Sequence, residues 1–389
     1  EELLTFLKEL EQRVGRTASF RWGPREIDID ILDYAGEEYQ SDKLAIPHPR
    51  MEERAFVLVP LAEIVPDWHH PLTGVPISNL LAAVDDSEIT KIDRSVPMTR
   101  PTGLTLKGQN FEWGSRTYVM GILNITPDSF SGDGLRQTED AVEAALDQAR
   151  QFADAGADIL DIGGESTRPG SDPVGAAEEI ERVIPVIEAL AAESALPVSI
   201  DTYKAEVAAA ALDAGAVLIN DVWGLIADPG IGPLAAERGV PVVMMHNRGT
   251  PKSAEVQARL GGRYTGVEYD DLIGDIKKEL LESVDLAREA GIPDEYIILD
   301  TGIGFGKTVP QNLELLNRTN EFKDLGFPIL IGSSRKSFIG YTLDLPPEQR
   351  VEGTAATVAI AITRGADIIR VHDVAYMARV AKMTDAIVR

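Results

Sequence analysis

From Tyr118 onward, short apolar runs alternate with longer amphipathic stretches. The runs are Tyr118–Leu123, Ala157–Ile162, Leu196–Ile200, Ala216–Ile219, Val240–Met245, Tyr296–Leu299, Phe327–Ile331 and Asp367–Val371. Between them lie stretches with helical patterning, among them Thr138–Ala155, Gly175–Ala192, Tyr203–Ala214, Tyr269–Ala290 and Arg350–Arg364. Gly156, Gly215, Gly239, Gly291, Gly326 and Gly365 fall between helix and strand, where helices stop. Strand–helix alternation predicts a parallel sheet. Eight such units favour closure into an α/β (β/α)8 barrel over an open sheet.

Residues 1–93 follow another pattern: a helix over 1–14, a strand through Ile27–Leu32, then two Pro-rich apolar segments. The chain starts inside a helical pattern without a cap or a starting Met, which predicts a fragment of a longer protein. Ser95–Gly108 carries Pro97, Pro101 and Gly103 and reads as a linker or a lead-in to the barrel. The expected organisation is a first domain over 1–93, a linker and barrel lead-in over 94–115, and the barrel over 116–389.

Composition narrows the options. With 44% hydrophobic residues the chain can build a full core. It has no apolar run of ~18 residues, which predicts no membrane span, and its acidic, amphipathic start is unlike a signal peptide. There is no cysteine, so disulfides, thiolate zinc sites and cysteine nucleophiles are excluded; a cytoplasmic location fits. The net charge of −26 repels nucleic acid and anionic lipid, and any anion site must gather its own cations. A salt-adapted surface is the alternative reading of that charge.

In a barrel of this kind the active site lies at the C-terminal ends of the strands. The residues that follow the apolar runs are Asn124, the segment 161–170 (DIGGESTRPG), Asp201, Asn220 with Asp221, His246 with Asn247, Asp300, the segment 333–337 (SSRKS), and Arg370, His372 and Asp373. Any one of them could be a helix cap. Asp201, Asn220 and Asp300 together point instead to a site, because capping does not require acids and amides at successive strand tips. Two carboxylates and an amide suit a flat heterocycle rich in N–H donors, such as a 2-aminopyrimidinone edge. Lys336 could donate to a carbonyl or ring nitrogen, and Arg370 could stack on the ring face. Arg168, Arg370, His372 and Asn124 could gather a diphosphate and Mg²⁺, which prefers oxygen ligands and keeps waters.

The segment 301–308 (TGIGFGKT) imitates a phosphate-binding loop, but only three residues separate Gly302 from Gly306 and Thr301 stands where the motif needs glycine. A glycine-rich turn close to a ligand, with Phe305 as a wall, is the better reading.

Taken in order, MGILNITPDSFSGDG, GGESTRPG, SIDTYK, IND, DTGIGFGK, SSRKS and RVHD resemble the dihydropteroate synthase family. That family condenses a 6-hydroxymethyl-7,8-dihydropterin diphosphate with p-aminobenzoate. The resemblance implies that Asp201, Asn220 and Asp300 hold the pterin edge, with Lys336 on its carbonyl side and Arg370 stacking. It implies Asn124 as a magnesium contact and His372 with Arg370 as diphosphate contacts. Thr167, Arg168, Phe305 and Ser337 would serve p-aminobenzoate, and Asp133 would help to stabilise a cationic pterin. The implied catalytic set is Lys336, Arg370, His372, Arg168 and Asp133, and the implied assembly is a homodimer.

In RWGPREIDIDIL (21–32), Asp28 and Asp30 share one strand face. Paired carboxylates suit a two-magnesium nucleotide site, and a solvated acidic face is the plain alternative. With AIPHPRMEERAFVLVPLAEI (45–64), the segment resembles the C-terminal half of hydroxymethyl-dihydropterin pyrophosphokinase, an α+β ferredoxin-like kinase. By that likeness Asp28 and Asp30 bind Mg²⁺, His48 and Arg54 contact ATP, and Arg25 and Trp22 lie in a catalytic loop. Only part of that domain is matched, so the expectation is a kinase part inactive in this chain. Two rivals remain for the barrel: a pterin-dependent methyltransferase, which should lack STRPG and SRK, and a non-catalytic pterin-binding barrel, which should show damage at Asn124, Arg168, Lys336 or His372.

Overall fold

The computed structural model describes residues 2–14, 29–41, 44–85, 100–125, 136–166, 173–249, 254–265 and 267–389. The chain divides into two compact units, Glu1–Asp93 and Arg94–Arg389.

The first unit contains helices Glu2–Val14, Ala55–Ile64 and Ile77–Leu81 and a short antiparallel ladder of Tyr39–Gln40 with Ala45–Ile46. Met51, Leu58 and Ile77 form its buried centre. The strand expected through Ile27–Leu32 is not formed over its described part, Ile29–Leu32. A strand needs a neighbour to share its ladder. Here the Ile29 N–H donates instead to the buried Glu11 carboxylate (2.9 Å), and the Leu32 carbonyl accepts from His48 N (2.9 Å).

The second unit is the expected barrel. Its strands are β1 Tyr118–Asn124, β2 Ile159–Gly163, β3 Val198–Asp201, β4 Leu218–Asp221, β5 Val242–Met245, β6 Ile297–Asp300, β7 Ile329–Ile331 and β8 Ile368–Val371. All neighbours are parallel and the sheet closes on itself in chain order. The helices are α1 Arg136–Ala155, α2 Ala176–Glu193, α3 Ala205–Asp213, α4 Ile231–Arg238, α5 Leu272–Glu289, α6 Val309–Asn317, α7 Ser337–Leu343, α8 Val351–Thr363 and α9 Val374–Val388. Gly239 ends α4 with φ 61°, as a left-handed stop requires.

Strand side chains alternate between faces. Leu160, Ile162, Ile200, Ile219, Leu299 and Val371 face the helices. Met120, Ile159, Leu218, Val243, Ile298, Leu330 and Ile368 fill the lower interior.

The stretch expected as linker and barrel lead-in contributes to that interior. Gly103–Leu106 pairs antiparallel with Gln109–Glu112. The turn between them has Lys107 at φ 46° and Gly108 at φ 76°, the geometry of a tight hairpin turn. Leu104, Leu106, Phe111 and Trp113 pack from this hairpin onto Tyr118 and the lower interior residues, closing the barrel floor. Phe111 and Tyr118 lie 4.7 Å apart by ring centroid, and the Tyr118 hydroxyl accepts from Glu112 N (2.6 Å). A second hairpin, Ala254–Gln257 with Gly261–Tyr264, follows β5 and was not expected from the sequence.

Candidate active site

The barrel interior is layered, with alternate strands supplying each layer. Ile159, Leu218, Ile298 and Ile368 form an apolar layer from the even-numbered strands. Two residues further along those strands stand Asp161, Asn220, Asp300 and Arg370. The upper layer is therefore an acid, an amide, an acid and a cation, deeply placed: Asp161, Asn220 and Asp300 are 0%, 3% and 5% exposed. Asp201 comes from β3 beside it.

These groups are tied together. Arg370 donates from Nε to Asp161 Oδ2 (2.5 Å) and from Nη2 to Asp201 Oδ2 (2.5 Å). Asn220 Nδ2 donates to the same Asp161 Oδ2 (3.0 Å). Asp300 Oδ1 accepts from Gly302 N (2.7 Å). Asp201 Oδ1 is buried with no hydrogen-bond partner among the described residues, an acceptor suited to an N–H donor. Burial pushes the Asp201 carboxyl up to about 7 against the opposing pull of Arg370. Burial also raises Asp300, opposed first by Lys336.

Lys336 reaches this cluster from the loop after β7. A Cβ placed on Gly332 would stand 3.8 Å from Arg370 Cβ, 3.9 Å from Lys336 Nζ and 4.0 Å from Asp300 Oδ2, so the missing side chain leaves the three groups a common space. Lys336 Nζ donates to the Ile303 carbonyl and lies 4.5 Å from the centroid of the Phe305 ring. Burial lowers its ammonium to about 8, with Asp300 resisting. Arg335 adopts φ 56°, unusual for a side chain of that size. Its guanidinium is held by Asp373 (Nε–Oδ2 2.8 Å) and its N–H by Thr354 (3.1 Å), which sets the turn that delivers Lys336.

Above this layer opens a cavity of about 410 Å³, lined by Ile122, Phe305, Gly332, Lys336, Ser337, Arg370 and His372 together with Leu260 and Gly261 of the second hairpin. Arg350, fully buried, braces that side by donating to the carbonyls of Leu260 (3.0 Å), Arg335 (2.8 Å) and Leu345 (3.0 Å).

The glycine-rich segment 301–308 is not a phosphate loop. Lys307 is buried and its ammonium is satisfied internally by Gly302 O (3.0 Å), Phe305 O (2.9 Å) and His246 Nδ1 (2.9 Å). Gly302 has φ 72°, and a Cβ there would meet His246 O at 1.8 Å, so only glycine allows this close approach.

Of the residues expected at the site, Asp201, Asn220, Asp300, Lys336, Arg370, His372, Phe305 and Ser337 come together at this mouth. Asn124 ends β1, half-buried and in register with Gly163. His372 contacts Ser334 Oγ through Nδ1 (3.1 Å). Arg370 was expected to stack; here its edge is fixed by two acids. Asp221 is a loop holder, accepting from Trp223 N (2.8 Å) and Leu225 N (2.7 Å). Thr167, Arg168, Asp133, Asp28, Arg25 and Trp22 lie outside the described residues. In the first unit, Asp30 and Arg54 form an ion pair (3.5 Å) and His48 Nδ1 accepts from Arg50 N (3.2 Å). The described residues contain no group of three or more His, Asp or Glu placed to hold a metal.

Sequence reading missed Asp161. It also missed the fastening at the start of the segment 161–170, where Lys204 pairs with Glu165 and with Glu179 (2.5 Å) and Arg182 donates to Gly164 O (2.8 Å). Asp161 was legible: it occupies the same place after Ile159 that Asn220 occupies after Leu218.

Fold and site together define a (β/α)8 barrel of the enzyme kind, with acids, an amide and cations gathered at one mouth. The chain belongs to the pterin binding enzyme family, whose profile matches residues 120–372. Residues 1–66 match the profile of 7,8-dihydro-6-hydroxymethylpterin-pyrophosphokinase. The dihydropteroate synthase of Bacillus subtilis is 50% identical over 288 residues, covering 74% of this chain and 92% of that one. The folic acid synthesis protein of Pneumocystis carinii is 41% identical over 395 residues, covering 100% of this chain and 51% of that protein, so the chain spans about half its length. A crystal structure of dihydropteroate synthase from Clostridium difficile, obtained in the presence of pteroic acid, superposes with a TM-score of 0.65 at 47% identity, covering 72% of this chain and 99% of that one. The barrel is of the dihydropteroate synthase kind, a transferase, and carries a pyrophosphokinase segment ahead of it.

Proposed function

We propose that the barrel joins a 6-hydroxymethyl-7,8-dihydropterin diphosphate to p-aminobenzoate, releasing diphosphate and forming 7,8-dihydropteroate. The observation that carries this reading is the polar layer Asp161–Asn220–Asp300–Arg370 with Asp201 and Lys336 beside it. Asp201 Oδ1, Asn220 and Asp300 take the pterin's amino and ring N–H donors. Lys336 donates to the ring's carbonyl side. Arg370, held edge-on by its acids, offers its planar face to the ring.

The reaction is substitution at the exocyclic methylene. The bond from that carbon to the diphosphate oxygen breaks, and the electron pair leaves with the diphosphate. Positive charge spreads into the pterin, where the buried carboxylates favour it. The arylamine nitrogen bonds to the carbon and loses a proton. Phe305 and Ser337 flank the p-aminobenzoate, with Thr167 and Arg168 of the segment 161–170. His372, Arg370 and Arg168 receive the diphosphate, and Asp133 adds negative charge near the pterin. Asn124 offers one amide oxygen at the β1 tip, which suits a Mg²⁺ bound mainly through diphosphate oxygens and water. That ion would neutralise the leaving group.

The proposed partner is a second copy of the chain and the proposed location the cytoplasm. Ile360, Tyr376, Met383 and Ile387 are exposed on α8 and α9, an apolar face suited to a second copy of the chain. No helix among the described residues is long and apolar enough to cross a membrane. In the first unit, Asp28 and Asp30 are proposed to hold Mg²⁺, with His48, Arg54, Arg25 and Trp22 toward ATP.

The test is direct. Purified chain, pterin diphosphate, p-aminobenzoate and Mg²⁺ should yield dihydropteroate. No product under conditions where the Bacillus enzyme turns over would end the reading.

A further inference from the structure

The geometry assigns to Asp161 the setting of hydrogen-bond polarity at the ring site: one oxygen of this carboxylate turns the Asn220 amide so that its carbonyl, not its NH₂, is offered to the ring. The inference rests on the pterin reading above and adds a positioning residue to it.

Asp161 Oδ2 accepts two hydrogen bonds, from Asn220 Nδ2 (3.0 Å) and from Arg370 Nε (2.5 Å). Asp161 is 0% exposed, so water does not compete for that oxygen. An ionised carboxylate only accepts. The amide edge turned to it must therefore be the NH₂, whichever way an amide is drawn, and the carbonyl is turned off that side. In the polar layer Asp161 stands on β2, next in order to β4 with Asn220 and to β8 with Arg370; Asp300 on β6 stands opposite. With the amide locked, Asp201, Asn220 and Asp300 all present acceptors. Without the lock, the amide could rotate and present a donor to a ring edge made of donors.

Neutralising a half-buried arginine does not explain this arrangement. Arg370 already has Asp201 (2.5 Å), and charge pairing needs no second contact on the same Asp161 oxygen from an uncharged amide. The shared oxygen links ring orientation by Arg370 to edge polarity at Asn220. What is needed there is an acceptor oxygen at this point, more than a charge.

Two variants of the full chain separate these roles. Asp161→Asn can keep an amide oxygen where Oδ2 lies and so still accept from both donors. Asp161→Leu has similar bulk and no acceptor. The expected result for Asp161→Leu is a rise of about tenfold or more in KM for the pterin diphosphate, with KM for p-aminobenzoate within about twofold. Asp161→Asn should stay within about threefold of the parent chain in both constants. Asp161→Ser, too short to reach both donors, replaces Asp161→Leu should that variant not fold, with the same expectation. The assignment is overturned if Asp161→Asn is as impaired as Asp161→Leu, if both substrates' KM values rise together, or if the pterin KM does not move. Calorimetric binding of the pterin diphosphate to each variant decides the same question without turnover. A parent chain that binds the pterin diphosphate but forms no product would count against the proposed reaction and leave this comparison intact.

Discussion

Lys307 Nζ lies 2.9 Å from His246 Nδ1, beneath the wall of the cavity that carries Phe305. His246 in turn meets Glu279 of α5 through Nε2 (2.9 Å). Against burial, His246 and Arg248 hold the Glu279 carboxyl below its usual range; that carboxylate only accepts, so the His246 proton sits on Nε2 and Nδ1 accepts from Lys307. The two carbonyls that complete the Lys307 shell belong to Gly302 and Phe305, and the Ile303 carbonyl between them receives Lys336. A residue outside the cavity lining thus holds the turn that carries Phe305.

Lys307→Met should therefore raise KM for p-aminobenzoate more than KM for the pterin diphosphate, because Phe305 is freed while the acids on the strands are not. It should also lower the melting temperature by several degrees, since the carbonyls of Gly302 and Phe305 lose their partner. Steady-state kinetics with each substrate varied, beside a thermal melt, check both. Equal changes in the two KM values would refute the positioning role.

Burial, helped by Lys307, lowers the His246 imidazole from 6.5 to about 4. The folded chain then binds fewer protons at this group than the unfolded chain does between those values. Its contribution to stability is fully present above pH 6.5 and is lost as pH falls toward about 4. Asp201, raised by burial to about 7, works in the opposite direction, so the comparison must be made between variants. Melting temperatures of the parent chain should fall more steeply from pH 6.5 to 4 than those of His246→Asn. Parallel curves would show that His246 titrates as an ordinary histidine.

For catalysis the two limbs come from different groups. Asp201 must be ionised to accept from the ring, and it is raised to about 7; Lys336 must be protonated to donate, and it is lowered to about 8. The profile of kcat/KM for the pterin diphosphate should accordingly be a narrow bell, falling below about 7 and above about 8. Lys336→Arg should push the alkaline limb upward because guanidinium does not titrate there. An unmoved limb would assign it to another group.

Asp300→Ala and Lys336→Ala should each lose activity by about a hundredfold or more while keeping the far-UV circular dichroism of the parent chain. Each removes a group from the common space at Gly332, and neither belongs to the lower apolar layers. Retained activity in both would place the chemistry elsewhere.

Trp113 tests the floor. It is 9% exposed and packs against Tyr118 with ring centroids 5.7 Å apart. Trp113→Ala should cost about 3–5 kcal/mol in urea unfolding, in the usual range for deleting a buried aromatic. KM for both substrates should change little, because the rim lies two layers above. A loss well under that range would show that the hairpin only rests on the barrel.

Much of the site was legible because barrel strands are short and regular. Each apolar run ended where a polar side chain was needed, so Asp201, Asn220, Asp300 and Arg370 could be picked out from position alone. The floor hairpin was also legible in principle: Leu104 and Leu106, then Lys107-Gly108, then Phe111 and Trp113 alternate about a turn. The prolines nearby drew the reading toward an irregular linker or lead-in. In the first unit the apolar alternation around Ile29 and Ile31 suggested a strand, but alternation supplies no ladder partner, and the backbone there bonds to Glu11 and His48 instead.

By itself the sequence determined the barrel, its strand order and which strand tips carry acids, amides and cations, because side-chain alternation and helix stops are local properties of the backbone. Only the tertiary structure decided the pairings: that Arg370 spans Asp161 and Asp201, that Asn220 turns its NH₂ to Asp161, and that Lys307 faces inward to His246 and not outward to a phosphate. These partners are far apart in the chain. Whether a buried charge meets an acid, a carbonyl or an open cavity depends on distances that exist only once the sheet has closed.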